Sequence, residues 1–378
     1  MSGFVRPFFA TAKPVGARCN LHCRYCYYLD KAGLYPREAS HTMGPALLEA
    51  FIEQHIGAQP QREVMFVWHG GEPTLLPLQY FRQVVGLQRR HAAGHVVDNC
   101  LQTNGTLLDD EWCQFLRDER WLVGLSIDGT QRQHDRYRQM RGGGGTHHRV
   151  MRAVEKLEKY GVQWNAMATI NAANVGEPQQ FYRFFKSIGC LWLQFTPVVE
   201  RDGHGRVCDF SVAPQAWGDF LCSLFDEWHA QDVGRVQVQL FDATLAGYLG
   251  LPPTLCSFAA TCGQALCVEH NGDVYSCDHF VTPDHLLGNL RQTPLLQMAY
   301  GKRQQQFGLE KTQGLSDRCR ACRYLFVCNG ECPKNRFVQA EKERPGENYL
   351  CPGYHSFFAH TENAFRQLAK LYRQAHSV

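Results

Sequence analysis

Short apolar runs and amphipathic stretches alternate along the first two hundred residues. FFATAKPV, EVMFVWH, VVDNCLQT, WLVGLSID, VQWNAMATI and LWLQFTPVV are rich in β-branched and aromatic residues and end in turn formers, which predicts strands. Between them PALLEAFIEQHI, PLQYFRQVVGLQRRH, DDEWCQFLRDE, HRVMRAVEKLEKYG and EPQQFYRFFKSIG carry apolar residues at helical spacing, with Asp109 and Asp110 as a helix start. Six strand–helix units in a row predict an α/β fold with a parallel sheet, open or curled into a partial (β/α)6 TIM-like barrel. PQAWGDFLCSLFDEWHAQ then reads as a helix, and RGGGG at 141–145 as a flexible loop.

In such folds chemistry gathers at the C-terminal ends of strands. The suggestive local sequences lie there: the loop around Cys19, HGGEP, QTNG and SIDG. Length and composition add bounds. A chain of 378 residues can hold a large domain and a smaller one, here 1–250 and 251–378. A net charge of +3 is too weak to point to nucleic acid or a membrane surface. No apolar run approaches the roughly 20 residues of a membrane-spanning helix. The start MSGFVRPFFATAKPVG is broken by Arg6, Pro7, Lys13 and Pro14, unlike a signal peptide, so a cytoplasmic location is expected.

The cysteines change the picture. There are 17, with three between Cys19 and Cys26 and a dense group from Cys256 to Cys351. In a reducing compartment such clustering points to zinc or iron–sulfur centres rather than disulfides. Cys19, Cys23 and Cys26 form C-x3-C-x2-C with no fourth cysteine before Cys100. A closed zinc site needs four ligands, so it would have to borrow His22 or a distant residue. An iron–sulfur cube on three thiolates instead leaves one iron open to a small molecule. The tail carries Cys319, Cys322, Cys328 and Cys332 as C-x2-C-x5-C-x3-C, then Cys351. Zinc ribbons use similar pairs, but many thiols and little usable histidine fit iron–sulfur clusters better. Cys100, Cys113, Cys190, Cys208 and Cys222 fall on predicted elements and read as core thiols.

C-x3-C-x2-C on the loop after a first strand resembles the signature of radical S-adenosylmethionine (SAM) enzymes. That resemblance implies a [4Fe–4S] cluster on Cys19, Cys23 and Cys26 whose free iron chelates the methionine part of SAM, with Tyr25 near the adenine. GGEP on strand two, Gly70, Gly71 and Glu72, would bind the methionine amino group. Glycine lets backbone approach a ligand closely, and Glu72 could accept from an ammonium; alone, the same four residues read as a turn. Gln102, Thr103, Asn104 and Asp128 end neighbouring strands and are weaker candidates. Ser126, Arg138 and Leu193 complete the cofactor-binding positions that the resemblance implies, Arg138 as a fork for the methionine carboxylate.

The tail resembles the SPASM extension, and nearly the whole chain resembles the anaerobic sulfatase-maturating enzymes. KPVGARCNLHCRYCYYLDK, GGEPTLL, QTNGTLL, LSIDG, LQFTPVV and NGDVYSCDHF carry the likeness. It implies two auxiliary [4Fe–4S] clusters, one on Cys256, Cys262, Cys277 and Cys332, the other on Cys319, Cys322, Cys328 and Cys351, making three clusters in all. Cys267 is left over, and His69 stands where many relatives carry Gln. The implied activity oxidises a Cys or Ser of a sulfatase polypeptide to Cα-formylglycine without oxygen, fed by a donor such as flavodoxin or ferredoxin. Asp278, next to Cys277, is the implied base, and a nearby anionic cluster is expected to raise its pKa. Another SPASM peptide maturase, such as one forming a thioether cross-link, or a non-catalytic iron–sulfur or zinc module, are the alternatives.

Overall fold

The predicted strands form where β-branched and aromatic residues alternate with polar ones. In the computed structural model, which describes residues 7–36, 41–338 and 346–376, they are β1 (Phe9–Lys13), β2 (Glu63–Trp68), β3 (Val96–Thr103), β4 (Leu122–Ser126), β5 (Trp164–Ile170) and β6 (Trp192–Pro197). Six more follow: β7 (Gln237–Val238), β8 (Ala265–Glu269), β9 (Asp273–Tyr275), β10 (Leu286–Asn289), and a short antiparallel pair, β11 (Arg336–Val338) and β12 (Glu347–Asn348). The chain folds into two compact units that interleave in sequence. Unit 1 comprises Met1–Ser126, His134–Trp164 and Gly263–Gly308; unit 2 comprises Ile127–Gln133, Asn165–Cys262 and Leu309–Val378. The motif boundary expected at residue 250 falls inside unit 2.

In unit 1 the strand order is β10-β9-β8-β1-β2-β3-β4. β1 to β4 pair in parallel, and β8 adds to β1 in parallel from Phe9↔Ala265 to Lys13↔Glu269. Tail residues therefore continue the sheet that carries the first cysteine loop. Helices Pro45–Gly57, Leu78–His91, Asp110–Asp118 and His147–Tyr160 link and cover these strands. Asp109 starts the third by accepting from the Trp112 amide at 2.9 Å, as its position predicts. Phe51, Phe66, Trp68, Phe81, Trp112 and Trp121 pack as one buried aromatic core, with Phe81 and Trp112 rings 5.1 Å apart. Trp68 donates to Asn99 at 2.8 Å, so its indole N–H is not stranded.

In unit 2, β5, β6 and β7 are parallel. Helix Pro214–Gln231 covers the whole predicted run, and Cys351–His376 packs beside it through Phe225 and Phe365, 5.0 Å apart. The RGGGG stretch is not a plain loop. Met140 and Gly144 bond backbone to backbone and Gln139 bridges Gly145, so the glycines close a tight reversal. Among the described residues no helix is long and apolar enough to cross a membrane. The α/β class with a mostly parallel sheet is the one that the strand–helix alternation predicts.

Candidate active site

The three thiols lie on the loop leaving β1. Cys19 is held by the end of β3: Asn104 Nδ2 donates to Asn20 Oδ1 at 2.9 Å and reaches Cys19 Sγ at 3.8 Å, while Asn20 donates to Thr106. QTNG therefore acts as a brace for the loop. Cys23 is buried, and the Cys26 amide donates to its carbonyl at 3.0 Å. Burial pushes the Cys19 thiol up to about 11 and raises Cys26 as well. Tyr25 is buried edge-on to Tyr137, and the Arg138 guanidinium lies 5.6 Å over its ring. An aromatic ring and a cation thus stand beside the middle of the thiol loop.

GGEP clamps this loop from β2. Gly71 N donates to Gly16 O and Glu72 N to Arg18 O, each at 2.8 Å. A Cβ on Gly71 would stand 1.8 Å from the Arg18 carbonyl oxygen, so only glycine permits the approach. Gly71→Ala is expected to cost more than the ~1–3 kcal/mol of an overpacked core. Iron analysis of the purified variant should show the loop's cluster lost and the tail clusters kept. Gly70 is buried beside it, and a Cβ there would meet Gly16 O at 2.8 Å.

Glu72 departs from a simple ammonium acceptor. It is buried, with Oε1 accepting from Thr74 N, Thr74 Oγ1 and Thr103 Oγ1, and Oε2 from Asn104 N at 2.7 Å. A carboxylate has about four acceptor positions, so what remains is on Oε2. Ser126 Oγ accepts from Gln102 at 3.0 Å at the neighbouring strand end. Asp128 lies in unit 2, where it accepts from Thr169 N and Oγ1 and serves the backbone. Leu193 is fully buried on β6, in register with Ala166 and Val238.

Asp278 comes to the thiol loop from the tail because β8 and β9 extend the β1 sheet. Tyr27, the residue after Cys26, donates to Asp278 Oδ2 at 2.7 Å. Lys13, at the end of β1 and fully buried, donates to the same oxygen at 3.2 Å. Burial pushes the Asp278 carboxyl up, but Lys13, His279, His69 and the Tyr27 bond outweigh it and hold it well below the usual range. The surrounding protein groups thus oppose the upward shift expected from an anionic cluster. His69 Nδ1 accepts from Gly70 N at 2.6 Å and from Lys13 Nζ at 3.2 Å. Both partners are donors, so the ring proton sits on Nε2. Burial and then the Lys13 charge bring His69 down to about 3. Cys267 is fully buried against Tyr28, 3.8 Å from its hydroxyl, in the cluster that also receives Cys26. Cys277 directly precedes Asp278 in the same unit.

The remaining tail thiols belong to unit 2. Cys319, Cys322, Cys328 and Cys351 all line one cavity, with Arg318, Glu331 and Tyr354 also on its wall. These are the four cysteines of the second implied auxiliary set. Burial raises the Cys328 thiol to about 12. Cys256, Cys262 and Cys332 share a second neighbourhood: burial and then Glu331 raise Cys332, and the other two thiols add to the rise. Among the described residues no three His, Cys, Asp or Glu side chains could hold a single metal ion. Four thiols around a cavity suit a larger inorganic core.

Two further observations bear on what these thiols can hold. Lys311 is fully buried and donates to Cys256 O and Ser257 O; Arg336 donates only to backbone carbonyls. Neither makes a salt bridge to a carboxylate among the described residues. Lys311 is buried and Arg336 partly so; Glu331 acts on both, and thiolate-ligated iron–sulfur clusters would supply further negative charge beside them. Sequence reasoning did not single out Lys13, Tyr27, Lys311 or Arg336. Of these, Lys13 left a signal, as a charge inside the first apolar strand-like run.

Fold and site together define a class, the radical SAM enzymes with an iron–sulfur extension. Residues 14–185 match the radical SAM superfamily, and residues 256–323 match SPASM, an iron–sulfur cluster-binding domain. The chain is 49% identical over 372 residues to a serine-type anaerobic sulfatase-maturating enzyme of Bacteroides thetaiotaomicron, covering 94% of this chain and 90% of that one. It is 30% identical to a cysteine-type anaerobic sulfatase-maturating enzyme of Clostridium perfringens, covering 96% and 97%. The solved structure of native anSMEcpe with bound AdoMet and Cp18Cys peptide superposes with a TM-score of 0.87 at 29% identity, covering 97% of this chain and 99% of that one. The chain belongs to the anaerobic sulfatase-maturating enzymes.

Proposed function

We propose that this chain oxidises one Ser or Cys side chain of a sulfatase polypeptide to Cα-formylglycine without oxygen. The observation that carries this reading is the Asp278 carboxylate, brought by the tail to Tyr27 on the three-thiol loop at 2.7 Å. A proton acceptor thus stands beside the place where the family cofactor would be held. The stronger identity to a serine-type relative supports serine as the preferred target.

Cys19, Cys23 and Cys26 would hold the open cluster, with Tyr25, Gly70, Gly71, Glu72, Ser126, Arg138 and Leu193 around SAM. When bound, that pair supplies a carbon radical able to take a hydrogen atom from the substrate Cβ. Asp278 then receives the hydroxyl or thiol proton at Oδ1 or Oδ2. Lys13 and Tyr27 hold its carboxylate in place and ionised, so it can accept a proton, although the same groups make it a weaker base than a free carboxylate. The eight tail thiols named above would hold two fully ligated clusters, whose chemistry is electron transfer. Oxidising a serine removes two hydrogens in all: one as an atom, one as a proton to Asp278 with its electron passed on. A cysteine gives a thioaldehyde, which water converts to the aldehyde with loss of hydrogen sulfide. The donor would be a low-potential carrier of the flavodoxin or ferredoxin kind, in the cytoplasm.

The test is anaerobic incubation of the reconstituted enzyme with SAM, reductant and matched Ser and Cys sulfatase peptides. Hydrazine-reactive aldehyde should form on the Ser peptide, with 5′-deoxyadenosine release stimulated by peptide. A cross-linked peptide lacking aldehyde would move the chain to another peptide-modifying chemistry.

A further inference from the structure

Arg336 plays no part in the radical or base chemistry, yet it is tied to both groups of tail thiols. Its Nε donates to Gly330 O at 2.9 Å, and Nη2 to Asn329 O at 3.0 Å and Glu331 O at 3.1 Å. These three consecutive carbonyls form the segment between Cys328 and Cys332, one cysteine from each implied auxiliary set. Asn329, Gly330 and Glu331 all have left-handed backbone, with φ of 46, 71 and 53°. That conformation is unfavourable for two of them and turns the segment around the guanidinium. A Cβ on Gly330 would meet Arg336 Nη2 at 2.7 Å, so glycine is what lets the planar group lie against the turn.

Nη1 donates to Lys311 O at 2.5 Å. The Lys311 ammonium in turn donates to the carbonyls of Cys256 and Ser257, at 2.9 and 2.7 Å. The two cations therefore differ in reach. The thiols that act electrostatically on Arg336 include Cys319 and Cys328 of one set and Cys262 of the other. Those acting on Lys311 are Cys262, Cys332 and Cys256, all of one set. Arginine stays charged at any working pH; its carbonyl partners solvate that charge, and the buried Glu331 carboxyl, which acts on both Arg336 and Lys311, offsets part of it.

We propose that Arg336 is a positioning residue shared by both auxiliary clusters, whose fixed charge raises the reduction potential of each, while Lys311, bonded to the Cys256 carbonyl, acts chiefly on the Cys256, Cys262 and Cys332 cluster. This rests on the reading that the tail thiols hold two clusters. Adding an electron makes a thiolate-bound cluster more negative, so a nearby cation favours the reduced form. Higher potentials suit centres that must accept an electron from an oxidised substrate.

The test is a redox titration of the reconstituted full chain followed by EPR, with iron and sulfide content measured on every variant. Arg336→Met should move both auxiliary midpoints to lower potential. Arg336→Lys, which keeps the charge and loses the fork, should stay near the parent. Lys311→Met should move one midpoint further than the other. If Arg336→Met fails to load its clusters, citrulline in place of Arg336 keeps the shape without the charge and should give the same double shift. Loaded clusters with unmoved midpoints, or Arg336→Lys shifting as far as Arg336→Met, overturn the proposal. A parent protein without auxiliary clusters overturns the underlying reading instead.

Discussion

Asp278→Asn is expected to uncouple the two halves of the reaction: 5′-deoxyadenosine release persists while aldehyde yield falls by roughly 10²–10⁴-fold. The amide has the shape of the carboxylate, so Tyr27 can still donate to its oxygen, but an amide cannot take a proton from the substrate. The change also removes the only salt-bridge carboxylate of Lys13 among the described residues, and Lys13 is fully buried. Breaking a buried pair can cost about 3–5 kcal/mol, and Asp278 is 24% exposed, so the lower end applies. The fall in aldehyde must therefore be read on protein with full cluster content and an intact thermal transition. Lys13→Met supplies the control. It should lower stability by a similar amount and weaken aldehyde formation less, because the base itself remains. Unchanged aldehyde yield in Asp278→Asn removes Asp278 from the base role.

The second large effect lies at the thiol loop. Cys23→Ala should abolish 5′-deoxyadenosine release altogether, since two thiolates no longer hold the open cluster that reductive SAM cleavage needs. The tail thiols of unit 2 do not belong to this loop, so much of the iron should remain. Cys328→Ala makes the complementary case. It removes one wall of the four-thiol cavity, lowers iron content, and should leave SAM cleavage measurable while aldehyde formation drops. Deoxyadenosine release by Cys23→Ala at the parent rate would falsify the placement of the open cluster on Cys19, Cys23 and Cys26.

Local pattern reported local structure well. The helix at Pro214–Gln231, the strand Val96–Thr103 and the Asp109 cap follow from periodicity and capping, which depend on neighbours in sequence. The parallel pairing of β8 with β1 did not, because more than 250 residues separate the partners and nothing local records it. That pairing is what brings Asp278 to Tyr27, so the site is assembled by the least legible contact in unit 1. The four-thiol cavity was legible only through family resemblance; spacing alone left zinc open. GGEP points to Glu72 as an acceptor for an ammonium, and most of its acceptor capacity goes to Thr74, Thr103 and Asn104. Arg336 gave no signal, because a guanidinium bound only to carbonyls has no complementary residue type to betray it.

Hydrogen leaving the Cβ of a sulfatase side chain can be followed by isotope. The direct measurement uses a serine peptide deuterated at Cβ, with enzyme, SAM and reductant under anaerobic conditions. Mass spectrometry should find deuterium in 5′-deoxyadenosine and a formylglycine in the peptide, in matching amounts. Unlabelled 5′-deoxyadenosine beside an unchanged peptide would contradict the account.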